Sequence, residues 1–146
     1  MKIAIGSDHA GYKLKEFIKS YLDGKKLQYT DFGTFKMDSC DYPELAYKVT
    51  DAVTKQNHDR GILICGTGIG MCITANKIKN VRAVVATDIT FAQSSRLYND
   101  ANVLCLGCND LPEGKALDIL EVWLNTSFEG GKHQTRVNLI SRLTGL

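Results

Sequence analysis

What this chain lacks bounds it first. No run approaches the ~20 consecutive apolar residues of a membrane span, so no membrane partner is expected. Excess charge of one sign is missing too: 18 Lys and Arg against 16 Asp and Glu leave a net charge of +2. Nucleic-acid binders normally carry a basic stripe, so none is expected as a partner, and any anion site must come from locally placed groups. Histidines number three, His9, His58 and His133. His58, within "KQNHDR", reads as a solvated surface residue. The pair in "CLGC" (105–108) has no second cysteine pair and no histidine nearby, so no metal site is expected there. It also ends a strand, where a thioredoxin-like motif would open a helix. The opening "MKIAIGSDHAGYKLK" has a lysine and a short apolar stretch, but Asp8 interrupts it too early for a signal peptide. Repeats, low-complexity tracts and linkers are absent, and residues 1–146 read as a single domain. The five cysteines, Cys40, Cys65, Cys72, Cys105 and Cys108, are odd in number and scattered. That pattern suggests free thiols in a reducing compartment, with the cytoplasm as the default location.

What is present is an alternation of strands and helices. Short apolar runs at 2–6, 28–33, 61–65, 82–87 and 102–107 read as five strands. The last three are nearly continuous, as expected for strands covered on both faces. Helical spacing of Leu14, Phe17, Ile18, Tyr21 and Leu22 predicts a helix between the first two strands. Further helices are expected at 42–56, 69–79, 89–99, 112–126 and 134–144, with Pro43 in the first turn of one and Gly130-Gly131 separating the last two. The fold class is therefore α/β: a doubly wound, five-stranded parallel sheet of the Rossmann or flavodoxin-like kind, with helices on both faces. In such sheets ligands sit beyond the carboxyl ends of the strands. Those ends carry "SDHAG", "GTFKMD", "CGTGIG", "TDIT" and "GCND".

"CGTGIG" (65–70) follows a strand and opens a helix, so its backbone N–H groups face the ligand crevice and suit an anion. It lacks the Lys-Ser/Thr ending of a P-loop. It misses the dinucleotide fingerprint by one residue, although Asp88 lies at the spacing of a ribose-binding acid. A tight turn that merely needs glycine is the plain alternative. Cys65 stands just before the expected helix, where the field favours thiolate, and the Thr67 hydroxyl is within reach along the chain. A buried filler is the plain reading of a cysteine there; the glycine loop favours a reactive one. Cys72, further along, reads as core. Asp8 and His9 in "SDHAG" face the same crevice, though Asp8 could simply cap the helix that follows. "EGGKHQTR" (129–136) gathers Lys132, His133 and Arg136 at a helix start, either as a phosphate site or as an ordinary solvated cluster.

Taken together, "GSDHAG", "DYPELA", "GILICGTGIGM", "ANKI", "YNDANVL" and "EGGKHQTRV" resemble the ribose-5-phosphate isomerase B family, within the group that includes galactose-6-phosphate isomerase subunits. The resemblance spans nearly the whole chain. It implies aldose–ketose isomerisation of a sugar phosphate, most directly ribose 5-phosphate to ribulose 5-phosphate, with no metal or organic cofactor. Cys65 corresponds to the base that takes the C2 proton, with Thr67 in support. The backbone of Gly66, Gly68, Ile69 and Gly70 corresponds to the cradle of the enediolate, where each preorganised donor is typically worth about 3 kcal/mol. Asp8, His9 and Asn99 match sugar-contacting positions, and Arg136 matches a phosphate-binding one. The resemblance also implies a homodimer, or a tetramer of paired dimers, whose shared site takes the cysteine loop from one subunit and "YND" from the other.

Three positions depart from the family pattern. Tyr98 stands where a histidine usually opens the furanose ring, Asn109 where an arginine often holds phosphate, and Lys132 where another arginine does. Lysine offers a point charge rather than a bidentate fork. The departures keep a tetrose or hexose phosphate, or a non-catalytic sugar-phosphate binder, open as alternatives.

Overall fold

A computed structural model describes residues 1–55 and 57–146. Strand β1 (Lys2–Ser7) leads to helix α1 (Tyr12–Gly24), then β2 (Gln28–Asp31) and α2 (Tyr42–Thr54). Next come β3 (Arg60–Cys65), α3 (Ile69–Ala75), β4 (Ala83–Val85), α4 (Ile89–Asn99), β5 (Val103–Gly107), α5 (Glu113–Asn125) and α6 (Lys132–Thr144). The five strands form one sheet in the order β2-β1-β3-β5-β4, and every pair is parallel. The expected α/β doubly wound sheet is what the chain forms.

Strand periodicity of two divides the core. Ile3, Ile5, Ile62, Ile64, Leu104 and Leu106 face one side and pack on α1, α4 and α5, with Trp123 buried among them. Ala4, Leu63, Cys65, Val103 and Cys105 face the other side and pack on α2 and α3. Helix α1 follows β1 onto one face, and α3 follows β3 onto the other. The neighbouring strands β1 and β3 therefore part at their carboxyl ends, and a crevice opens between Ser7 and Cys65.

Three expectations need correction. The helix at 69–79 stops at Ala75, because the Asn76 side chain pairs with β4 as a strand residue would: its amide donates to Ala83 C=O and accepts from Ala83 N–H, both at 2.9 Å. Strand 82–87 shortens to Ala83–Val85 at the sheet edge. His58 is buried rather than solvated, with Nε2 2.9 Å from Thr30 Oγ1 and its ring edge-on to Phe32. Burial, with the Lys2 charge, lowers its pKa below the ordinary histidine value. Gln56, the last residue of the helix expected at 42–56, lies outside the described residues.

Candidate active site

The cysteine at the end of β3 is buried, with its thiol side turned into the loop that follows. Gly68 N–H points at Cys65 Sγ from 3.1 Å. That contact requires Gly68 to turn at φ +77°, a conformation open to glycine at little cost. Thr67 is placed differently from the expectation: its Oγ1 accepts from Ile69 N–H at 3.2 Å, and the group on the sulfur is Gly68 N–H. The five free cysteines include one thiol with a pKa near neutrality, Cys72, lowered to about 7 mainly by the thiol of Cys105. Cys72 is half-buried against the α2–α3 side of the core, as its core reading has it.

Across the crevice, Asp8 is buried and its Oδ1 accepts Gly11 N–H at 3.0 Å. It therefore does steady the entry to α1, while its second oxygen stays outside that bond. His9 is fixed by a segment the sequence left unassigned: Cys40 N–H donates to His9 Nδ1 at 3.3 Å. An accepting Nδ1 places the ring proton on Nε2. A second residue missed at the sequence level is Tyr42. A Cβ on Gly70 would lie 2.6 Å from Tyr42 Cζ, so the phenol ring rests directly on the loop backbone. The signal for it was the tyrosine inside "DYPELA". Asn109 packs its amide 3.1 Å from where a Gly66 Cβ would be, and its N–H donates to Gly66 C=O. Beside the loop a cavity of about 310 Å³ is lined by Gly66, Thr67, Ile69, Gly107, Asp110 and Lys115. Asp88, the candidate ribose acid, caps α4 by accepting from Thr90 and Phe91 N–H.

The remaining candidates gather elsewhere. Tyr98 and His133 stack with ring centroids 4.8 Å apart, and His133 Nε2 lies 3.6 Å from Glu129 Oε2. Lys132 and Arg136 flank His133 on α6. Asn99 closes α4, where Arg82 Nε donates to its carbonyl, and lines a cavity of about 330 Å³ with Arg82, Asn76 and Ile140. Arg82 immediately precedes β4, so this group sits at the amino ends of the strands. Cys65 and Asp8 sit at the carboxyl ends. Among the described residues no hydrogen bond, ion pair or aromatic contact joins the two groups. Nor does any cluster of three or more His, Cys, Asp or Glu among them suit a metal ion.

With that geometry in place, residues 3–140 match the ribose/galactose isomerase family. The chain belongs to it. Relatives align along nearly their whole length. Ribose-5-P isomerase B of Listeria innocua is 43% identical, covering 98% of this chain and 97% of its own. Ribose-5-phosphate isomerase B of Clostridium thermocellum superposes with a TM-score of 0.98 at 47% identity, over 99% of this chain and 98% of that one. The Mycoplasma genitalium enzyme, solved with bound ribulose-5-phosphate, has a TM-score of 0.95 at 40% identity, over 99% and 96%.

Proposed function

We propose that this chain interconverts ribose 5-phosphate and ribulose 5-phosphate, with Cys65 as the base. The observation that carries the reading is Gly68 N–H on Cys65 Sγ inside a glycine loop at the strand switch point. Relatives named as this isomerase, one of them with ribulose-5-phosphate bound, support the substrate. The Cys65 thiolate takes the proton from C2 of the open-chain aldose, and the electron pair moves to make an enediolate. The O2 hydroxyl proton passes to O1, and the proton taken by Cys65, or one from solvent, then returns at C1 to give the ketose. Negative charge develops on O1 and O2 only along this path. Loop N–H groups from Gly66 to Gly70 therefore stabilise the transition state more than the substrate. Asp8 and His9 hold the sugar hydroxyls, with Nε2–H of His9 as a donor.

The group at the opposite end of the sheet, Tyr98, Asn99, Lys132, His133 and Arg136, completes the site from a second copy. Helix α4 has 11 residues, so it separates the two groups by about 16 Å at 1.5 Å per residue. Exposed Ile69 and Ile73 on α3 and Leu139, Ile140 and Leu143 on α6 are the surfaces available for pairing. No described helix is long and apolar enough to cross a membrane, and the cytoplasm is the proposed location.

Tyr98, Asn109 and Lys132 favour a second reading, in which the sugar phosphate is a shorter one that needs no ring opening. The test is a panel of tetrose, pentose and hexose phosphates assayed for aldose–ketose interconversion, with Cys65→Ala as control. Turnover of ribose 5-phosphate that disappears in Cys65→Ala supports the first reading. Turnover confined to the tetrose supports the second, and turnover that survives Cys65→Ala sinks the proposed base.

A further inference from the structure

A charge cluster beneath the crevice takes no part in the chemistry above. Lys15 on α1 is fully buried, which is rare for lysine. Its ammonium donates to Asp31 Oδ2 and, at 2.9 Å, to Glu16 Oε1, while Lys19 Nζ lies 2.8 Å from the same Asp31 oxygen. The rings of Tyr12 and Phe35 each stand 5.5 Å from Lys15 Nζ. A buried ion pair gives little net stability over an apolar pair of the same shape, so stability alone is a weak reason for it.

The other oxygen of Asp31 leads toward the site. Oδ1 accepts Gly33 N–H at 2.9 Å. Gly33 C=O accepts Ser7 N–H, and Ser7 C=O accepts Thr34 N–H, both at 2.7 Å. Ser7 ends β1 and directly precedes Asp8, whose own N–H donates to Ile64 C=O at 3.1 Å beside Cys65. The same 33–41 segment then returns to the crevice and reaches His9 through Cys40 N–H.

We infer that Lys15 and Asp31 are positioning residues for the carboxyl end of β1. They hold Gly33 and Thr34 against Ser7, and so set where Asp8 and His9 stand relative to Cys65. The inference rests on the reading that Asp8 and His9 hold substrate. It differs from a merely structural role in what its loss changes: substrate binding in a protein that is still folded.

The decisive variant is Lys15→Met/Asp31→Leu, which removes both charges and keeps the volume. It is expected to melt near the wild-type temperature. Its kcat/KM for ribose 5-phosphate should fall roughly tenfold or more, chiefly through KM, because small misplacements of binding groups are costly. Alkylation of Cys65 by iodoacetamide, measured in a Cys72→Ala background, should keep its wild-type rate. Asp31→Asn, which retains an oxygen for Gly33 N–H, should recover part of the loss. Wild-type kcat/KM in a folded double variant overturns the proposal, as does a loss in kcat with KM unchanged. Should the double variant not fold, the backbone amide resonances of Ser7, Asp8 and Gly11 in Asp31→Ala, which removes the oxygen on Gly33 N–H, decide: a shift supports positioning and unmoved signals overturn it. If the wild type turns over no sugar phosphate, the functional reading fails, and the amide shifts still judge the positioning.

Discussion

At the scale of single residues, Cys72 competes with Cys65 for any reagent that reports on the base. Cys72 has a pKa of about 7 and is half-buried, so at pH 8 most of it is thiolate. Cys65 is the thiol that substrate should cover. Iodoacetamide is therefore expected to label Cys72 as well as Cys65, and ribose 5-phosphate to protect Cys65 but not Cys72. Cys72→Ala should remove the unprotected phase and leave turnover within about twofold, since Cys72 packs on the core and its bonds run to Cys105, Val85 and Asn76. Loss of the protected phase instead would show that the reactive cysteine had been misassigned. Gly70 offers a sharper test of the loop. A methyl there would meet the Tyr42 ring at 2.6 Å, but that ring is partly exposed and free to swing away. Gly70→Ala should cost little stability, of order 1 kcal/mol or less, and lower kcat/KM by roughly 10²-fold as loop and ring separate. Equal losses in stability and activity would contradict a functional contact. Cys65 and the glycines were legible in the sequence because they are contiguous. Tyr42 and Cys40 were not, because only the crossing of the 33–42 segment over the crevice brings them to Gly70 and His9.

At the scale of elements, the period-two and period-3.6 patterns carried the architecture, and the corrections fall where a side chain replaces backbone or hides a charge. The end of α3 depended on Asn76 mimicking a strand partner of Ala83, which no apolar periodicity records. His58 sits in a polar run, "KQNHDR", yet the chain folds it under β2 against Thr30 and Phe32. Its burial has a consequence that can be measured. With a folded pKa below the ordinary value of about 6.5, the unfolded chain binds more protons than the native one as pH falls. The contribution of neutral His58 is thus fully present above pH ~6.5 and is lost as pH falls through the lowered folded value. Urea midpoints at pH 7.5 and pH 5 should differ less in His58→Gln than in the wild type. An identical pH slope in the two proteins would mean that His58 titrates freely.

At the scale of the whole molecule, the proposed site draws on residues from both ends of one sheet. Cys65 and Asp8 lie beyond the carboxyl ends, while Asn99 and Tyr98 lie beside Arg82 at the amino ends. A single chain cannot bend the sheet to join them; in the proposed site a two-fold pair does so, each protomer lending one end to the other. That arrangement makes a prediction no single-chain site shares. Cys65→Ala and Asn99→Ala should each be nearly inactive as homodimers. Unfolded together and refolded as an equal mixture, they give hybrids in which one site carries both substitutions and the other carries none. Half of the dimers are hybrids and half of their sites are intact, so about one quarter of wild-type activity should return. Sedimentation should show one assembly, a dimer or a pair of dimers, throughout, whichever variant is loaded. Refolded mixtures that stay as inactive as their parents, with hybrids demonstrated by a mass difference between differently tagged chains, would place both residues in one protomer's site and remove the need for a partner.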